Sequence, residues 1–128
     1  MENYRGVSYE TILAWVEGGI GYLQFNRPKA MNAVNIKLLD EAYEVLTAYS
    51  DDSEVKVIII CGDENVFCAG ADLVSVKEMN AFEAREFLDH VHRTQFAIED
   101  NFKPVITAVR GLALGGGMEI ILSSDIRI

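Results

Sequence analysis

At 128 residues the chain has room for one domain with a real core and not for two. Half of it is apolar and 24% is charged, with two prolines and no low-complexity run, which excludes an intrinsically disordered chain. A formal charge of −9 sets aside a protein whose main work is neutralising nucleic-acid phosphates.

That charge leaves room for one small polyanion, because local cations such as Arg27, Lys29 and Lys77 matter more to a single ligand than the overall balance does. Two cysteines, Cys61 and Cys68, have neither zinc-knuckle spacing nor disulfide-scaffold density, and read as reduced thiols in a cytosol-like compartment. No apolar run approaches the ~20 residues needed to cross a bilayer, and no signal-type segment opens the chain. A cytoplasmic protein that uses no membrane is the expectation.

Two extended apolar runs, Ile12 to Val16 and Ile20 to Phe25, flank Glu17-Gly18-Gly19 and predict a hairpin. Pro28 cannot donate to a ladder and restricts Arg27 before it, so a shaped loop follows through Ala33. Leu38, Leu39, Ala42, Leu46 and Tyr49 then recur at helical spacing behind Asn35, a plausible N-cap, and predict an amphipathic helix to about Ser50. Lys37, Glu41 and Glu44 are expected on its solvated face. The β-branched run Val55 to Cys61 has the pattern of a strand buried on both faces, which implies a sheet covered by helices.

Asn80-Ala81-Phe82-Glu83 has the chemistry of a capping box. Ala84, Phe87, Leu88, Val91, Gln95 and Ile98 follow with a period near 3.6, predicting a second long helix over 81–99. Val105 to Val109 is a further strand, the glycine-rich 111–117 leads into a helix from Met118 to Leu122, and 125–128 begins another strand. The order specifies a layered α/β domain with crossover connections. Because the last run stops without a turn or cap, the domain is expected to be incomplete at its C-terminus.

Two segments place small residues where a strand passes into a helix: 66–73, with Ala69-Gly70-Ala71-Asp72, and 113–119, with Gly115-Gly116-Gly117. At such junctions the first-turn N–H groups have no intrahelical partner and carry the positive end of the macrodipole. Two of them side by side would make an oxyanion hole, a pair of fixed donors aimed at an oxygen that gains charge during reaction. Periodicity alone does not bring the two corners together. A glycine triplet is also a flexible turn or a site of close helix packing, and it lacks the spacing of a phosphate or dinucleotide loop.

Three blocks carry a resemblance to a known family. Asn26-Arg27-Pro28-Lys29-Ala30-Met31-Asn32-Ala33 resembles an NRPxxxNA loop, Phe67-Cys68-Ala69-Gly70-Ala71-Asp72-Leu73 an FxAGADL block, and Leu112 to Glu119 with Ile120 a GxALGGGxEL block in which Ile replaces Leu. In order and interval they are similar to the enoyl-CoA hydratase/isomerase (crotonase) superfamily over almost the whole chain. The resemblance implies a ClpP/crotonase-like spiral of ββα units, here the partial core domain over 1–128, with the rest of the core and the C-terminal helices lacking.

It also implies a site. The N–H groups of Ala71 and Gly116 would hold a thioester carbonyl and stabilise an enolate, and Glu119 would be the first of two hydratase carboxylates, the second lying beyond Ile128. Lys29, Ala30, Ala69, Gly70, Asp72, Leu73 and Gly115 would line the coenzyme A channel, with Arg27 or Lys29 near a phosphate. The implied activity is hydration of 2-enoyl-CoA thioesters; the alternatives are another crotonase reaction (isomerase, hydrolase, decarboxylase) or a truncated, non-catalytic acyl-CoA-binding or assembly module. No metal or redox cofactor is called for, since coenzyme A is part of the substrate, and the family assembles as homo-trimers or hexamers.

Several of these residues have plainer readings. Asp72 serves equally as the cap of the helix that follows it. Glu119 in a closed apolar site could be tuned for proton transfer, yet a carboxylate at a helix start is also favoured by the dipole. Cys68 is packing unless a charged partner makes a thiolate. His90 and His92, two apart on a helix, point in different directions and are expected to be solvated. Trp15, Phe25, Phe87 and Phe96 are expected in the core or the wall of an acyl pocket.

Overall fold

The structure, a computed structural model, describes residues 2–128. The hairpin forms as β1 (Ile12–Glu17) and β2 (Ile20–Phe25), antiparallel from Ile12 opposite Phe25 to Glu17 opposite Ile20. Gly18 and Gly19 close it at φ 58° and 83°, a turn twist that matches the twist of the strands. In α1 (Ile36–Asp51) the Asn35 side chain accepts the Leu38 N–H at 2.9 Å, as an N-cap should. There follow β3 (Val57–Cys61), the short β4 (Val66–Cys68), a single turn α2 (Leu73–Val76), and α3 (Ala81–Glu99), whose Asn80–Glu83 capping box is made in both directions. β5 (Val105–Ala108), β6 (Leu112–Ala113), α4 (Gly116–Ser123) and β7 (Ile126–Arg127) complete the order.

The strands divide into a five-stranded sheet, β1-β2-β3-β5-β7, and a separate two-stranded sheet, β4-β6. Every pairing after the hairpin is parallel, so each return to the main sheet is made by a crossover carrying a helix. The unit is ββα, turned three times: β1-β2-α1, β3-β4-α3 and β5-β6-α4. This is the spiral α/β architecture that the resemblance implied. The small β4-β6 sheet matters most for the site, because it draws the two glycine-bearing corners together.

Ile12, Ala14, Leu23, Phe25, Ile58, Ile60 and Val105 alternate onto one face of the main sheet, where α1 lays Leu38, Ala42, Val45, Leu46 and Tyr49 against them. Buried Tyr49 donates its hydroxyl to the Trp15 and Tyr22 carbonyls at 3.0 and 2.7 Å, tying α1 to both strands of the hairpin.

Four expectations are corrected. β3 is covered on one face only: Ile58 and Ile60 are buried, while Val57, Ile59 and Cys61 are half-buried, because the long helices cross one side. On the other side Trp15 stacks on Tyr22, centroids 4.7 Å apart, so Trp15 is half-buried rather than core. Phe96 is exposed, on the outer face of α3, although Phe25 and Phe87 are buried as expected. His90 is not free in solvent, since its Nδ1 lies 2.6 Å from Asp40 Oδ1 on α1, where Arg93 also donates; His92 is exposed.

Glu41 is a fifth. Instead of facing water it is 6% exposed, and its carboxylate accepts the Glu10 N–H at 3.0 Å, the Thr11 N–H at 2.8 Å and the Thr11 hydroxyl. The chain entering β1 carries donors with no ladder partner, and Glu41 satisfies them from the flank of the buried stripe. Burial pushes its carboxyl up, but the Thr11 and Glu10 hydrogen bonds and Lys37 outweigh this and hold it below the usual carboxylate value. Glu41→Ala is expected to cost about 3 kcal/mol at neutral pH, mostly through the donors left buried and unpaired. A folded-state value below the unfolded one means stability that is present above the unfolded value and lost as pH falls through the folded one. In urea titrations the gap between wild type and Glu41→Ala should therefore narrow in acid; a gap that does not change with pH would show that the carboxylate charge contributes nothing.

Candidate active site

The 26–34 loop is tied to the 69–72 corner strand-fashion. The Val34 N–H donates to the Gly70 carbonyl at 2.7 Å, the Asp72 N–H to the Val34 carbonyl at 2.8 Å, and the Ala69 N–H to the Met31 carbonyl at 3.1 Å. Inside the loop, buried Asn32 at φ 55° accepts the Arg27 N–H through Oδ1 at 2.9 Å and donates through Nδ2 to the Val66 carbonyl at 3.1 Å. Because Gly70 and Asp72 both bond toward Val34, the peptide between them turns its N–H the other way. The Ala71 amide has no acceptor among the described residues.

The second corner faces it. The Leu114 N–H donates to the Cys68 carbonyl at 3.0 Å, extending the β4-β6 pairing, and the chain then reverses at Gly115, with φ 47° and ψ −115°. Only glycine adopts that conformation without strain. The reversal makes Gly116 the first residue of α4, so its amide has no intrahelical acceptor, and none is supplied by the other described residues.

The two free amides are neighbours. A Cβ built on Gly116 would lie 3.8 Å from the Ala71 nitrogen, which with standard backbone dimensions puts the two nitrogens no more than about 6 Å apart. One oxygen can accept from both at ordinary hydrogen-bond length. The approach depends on small residues: a Cβ on Gly70 would come within 3.0 Å of the Leu114 carbonyl, and one on Gly117 within 2.5 Å of the Cys68 carbonyl. Buried Cys68 thus packs under both corners, with its sulfur 3.4 Å from the Gly70 nitrogen, and burial pushes its thiol up, partly offset by that amide. It is no nucleophile.

Asp72 is a structural residue in this chain. It caps α2 by accepting from the Val74 and Ser75 amides at 3.1 and 3.4 Å, and pairs with Arg27 Nη2 at 3.0 Å. Burial pushes its carboxyl up, and the Arg27 guanidinium and the α2 amides more than reverse this. Arg27 is correspondingly committed, to Asp72 and to the Ala33 carbonyl, and is not a free cation for a phosphate. Lys29 and Lys77 remain exposed and outside any ion pair among the described residues. Ala30 and Ala69 are half-buried beside the corner, Gly115 is exposed, and Leu73 is 74% exposed next to Val74 at 78%, an exposed apolar pair on α2.

Glu119 lies one turn into α4, exposed rather than enclosed, with its backbone N–H bonded to the Gly115 carbonyl. Beside it a small apolar cavity of about 20 Å³ runs between Gly116 and Ile120 of α4, Val34 of the loop, Leu39 of α1, and Val91 and Thr94 of α3. That is room for one methyl or one water. One contact to Glu119 escaped the pattern reading: Gln95 of α3 donates from Nε2 to Glu119 Oε2 at 3.3 Å. Its signal was present in the sequence, as an amide standing among apolar positions of the α3 stripe.

The family model described as Enoyl-CoA hydratase/isomerase matches residues 16–128. The crotonyl-CoA hydratase of Syntrophomonas wolfei is 43% identical over 123 residues, 95% of this chain and 47% of that protein. The short-chain-enoyl-CoA hydratase of Clostridium acetobutylicum is 46% identical over 113 residues, 88% of this chain and 43% of that protein. The chain therefore spans somewhat less than half the length of these curated relatives. The crystal structure of an enoyl-CoA hydratase from Bacillus anthracis superposes with a TM-score of 0.88 at 32% identity, over 92% of this chain and 46% of that one. Sequence and fold agree: the chain has the crotonase fold and belongs to the enoyl-CoA hydratase/isomerase family.

Proposed function

We propose that the protein carrying this chain hydrates 2-enoyl-CoA thioesters, with the thioester carbonyl oxygen held by the amides of Ala71 and Gly116. The observation that carries this reading is the approach of two acceptor-free N–H groups from separate corners. As water attacks C3, its oxygen bonds to that carbon, the C2–C3 π pair becomes the C1–C2 double bond of an enolate, and the carbonyl π pair moves onto the thioester oxygen. In this reading the enolate charge develops between two donors that the fold already holds in place, so little reorganisation is needed at the moment of reaction. Glu119 takes the proton that the attacking water releases, and passing that proton to C2 as the enolate pair returns from oxygen restores the carboxylate, so that one water has been added across C2–C3.

Glu119 favours hydration over the other crotonase reactions, since an amide pair alone serves any chemistry that passes through an enolate. The two relatives named for hydration of crotonyl- and short-chain enoyl-CoA support the same choice. The ligand's coenzyme A portion is assigned to the side of the corner bearing Lys29, Ala30, Ala69 and Leu73, where Lys29 is the cation of the 26–34 loop outside any ion pair among the described residues. Assembly as homo-trimers or hexamers belongs to the same proposal.

The test uses protein made from the complete reading frame. Loss of the enoyl-thioester absorbance of crotonyl-CoA should show turnover, and calorimetry should show binding of saturated butyryl-CoA without turnover. Binding of butyryl-CoA with no hydration of crotonyl-CoA would leave the acyl-CoA site and remove the hydratase; no binding of either would remove both.

A further inference from the structure

We infer that Gln95 is a positioning residue for Glu119, an assignment that rests on the hydratase reading above. Its Nε2 donates to Glu119 Oε2 at 3.3 Å across the α3–α4 contact. Gln95 and Glu119, with Val91, line two spaces at once: the small cavity that reaches Gly116, and an open groove bounded by His92, Glu99, Leu122 and Ser123. The Gln95–Glu119 bridge therefore stands in the wall between the cavity beside the amide pair and bulk solvent.

A side-chain amide suits this position for three physical reasons. It donates at every pH, because it does not titrate. Its N–H also matches a carboxylate oxygen, which can only accept, so the contact is made to the form of Glu119 that acts as a base. Engaging Oε2 also fixes the rotamer of a side chain that is otherwise exposed, and leaves Oε1 as the oxygen free to take a proton from water. The other titratable groups bounding these two spaces are His92 and Glu99, both on α3; the 26–34 loop contributes Val34 and α1 contributes Leu39, and α4 adds no further charge. Among the described residues Gln95 is the one whose side chain hydrogen-bonds the Glu119 carboxylate.

Gln95→Leu keeps the volume and removes the donor, and Gln95→Glu replaces it with a like charge. In the complete protein, Gln95→Leu is expected to lower kcat for crotonyl-CoA roughly tenfold with KM within about twofold, a split that a general loss of folding would not produce. Gln95→Glu should lower kcat at least as far, because a like charge then faces Glu119. The Glu119 side-chain carboxyl resonance, followed by carbon-13 NMR on glutamate-labelled protein at neutral pH, should move in both variants, a readout that does not require turnover. An unchanged Glu119 resonance in Gln95→Leu overturns the proposal, and so does a kcat equal to that of wild type. Absence of hydration in the wild type would sink the hydratase reading alone, because the carboxyl resonance still decides the contact.

Discussion

Glu119→Gln should cut crotonyl-CoA hydration by roughly 10²- to 10⁴-fold, the range spanned by a lost general base. Binding of butyryl-CoA should stay within a few-fold of wild type. The substitution is informative because it changes little else: glutamine has the same length, its carbonyl oxygen can still accept from Gln95 Nε2, and the Glu119 N–H bond to Gly115 belongs to the backbone. What goes is the capacity to hold a proton at the carboxylate. Stopped-turnover assays with enoyl-CoA, beside calorimetry with the saturated analogue, separate the two quantities. Undiminished hydration would take Glu119 out of the mechanism and leave the amide pair without its assigned base.

The second large effect is one of packing, and it contrasts two adjacent glycines. Gly117→Ala would drive a Cβ to 2.5 Å from the Cys68 carbonyl oxygen and 2.9 Å from Cys68 Cβ. Cys68 is fully buried in β4 and cannot yield. Alanine gains about 1 kcal/mol over glycine in helix propensity, while overpacking of this kind costs about 1–3 kcal/mol or more, so the clash wins. α4 is expected to lift off the small sheet, lowering the thermal midpoint by several degrees and separating the Ala71 and Gly116 amides, with loss of acyl-CoA binding.

Gly116→Ala should behave differently. Its Cβ meets nothing closer than the Ala71 nitrogen at 3.8 Å, so stability should hold or rise slightly. The new methyl, however, comes within 3.8 Å of the Ala71 nitrogen, into the space a shared oxygen would need, and should weaken butyryl-CoA binding at least tenfold. Equal thermal midpoints for Gly117→Ala and wild type would mean that the glycine triplet is not required for packing. Unimpaired binding in Gly116→Ala would mean that no ligand oxygen sits between these amides.

Much of the fold was legible because its signals are local. Asn35, Asn80 and Glu83 announce helix starts through side chains that reach the next turn, and the structure shows those bonds. The hairpin was legible in Gly18-Gly19, and α3 in its apolar period over 81–99. Where the reading failed, the deciding partner was remote in sequence. Glu41 scans as a solvated helix residue, and only the return of the chain at Glu10 and Thr11 makes it a buried acceptor. Arg27 reads as a cation for a phosphate until Asp72, forty-five positions away, takes it. Phe96 keeps the apolar chemistry of a core residue yet lies on the outer face of its helix.

The candidate site divides in the same way. Motif order and residue size alone determined which two corners carry small residues, which carboxylate stands one turn into the second helix, and which family the blocks resemble. The tertiary structure alone decided that the corners meet. That outcome depends on β4 pairing with β6 and on Val34 drawing the bonds of Gly70 and Asp72 to one side, both contacts between segments far apart in the chain, together with the chain reversal at Gly115. A sequence displays which amides can be left without an acceptor, because that is a property of helix starts and turns. Whether two such amides face one point in space is a property of the packed backbone, and so is the contact by which Gln95 reaches Glu119.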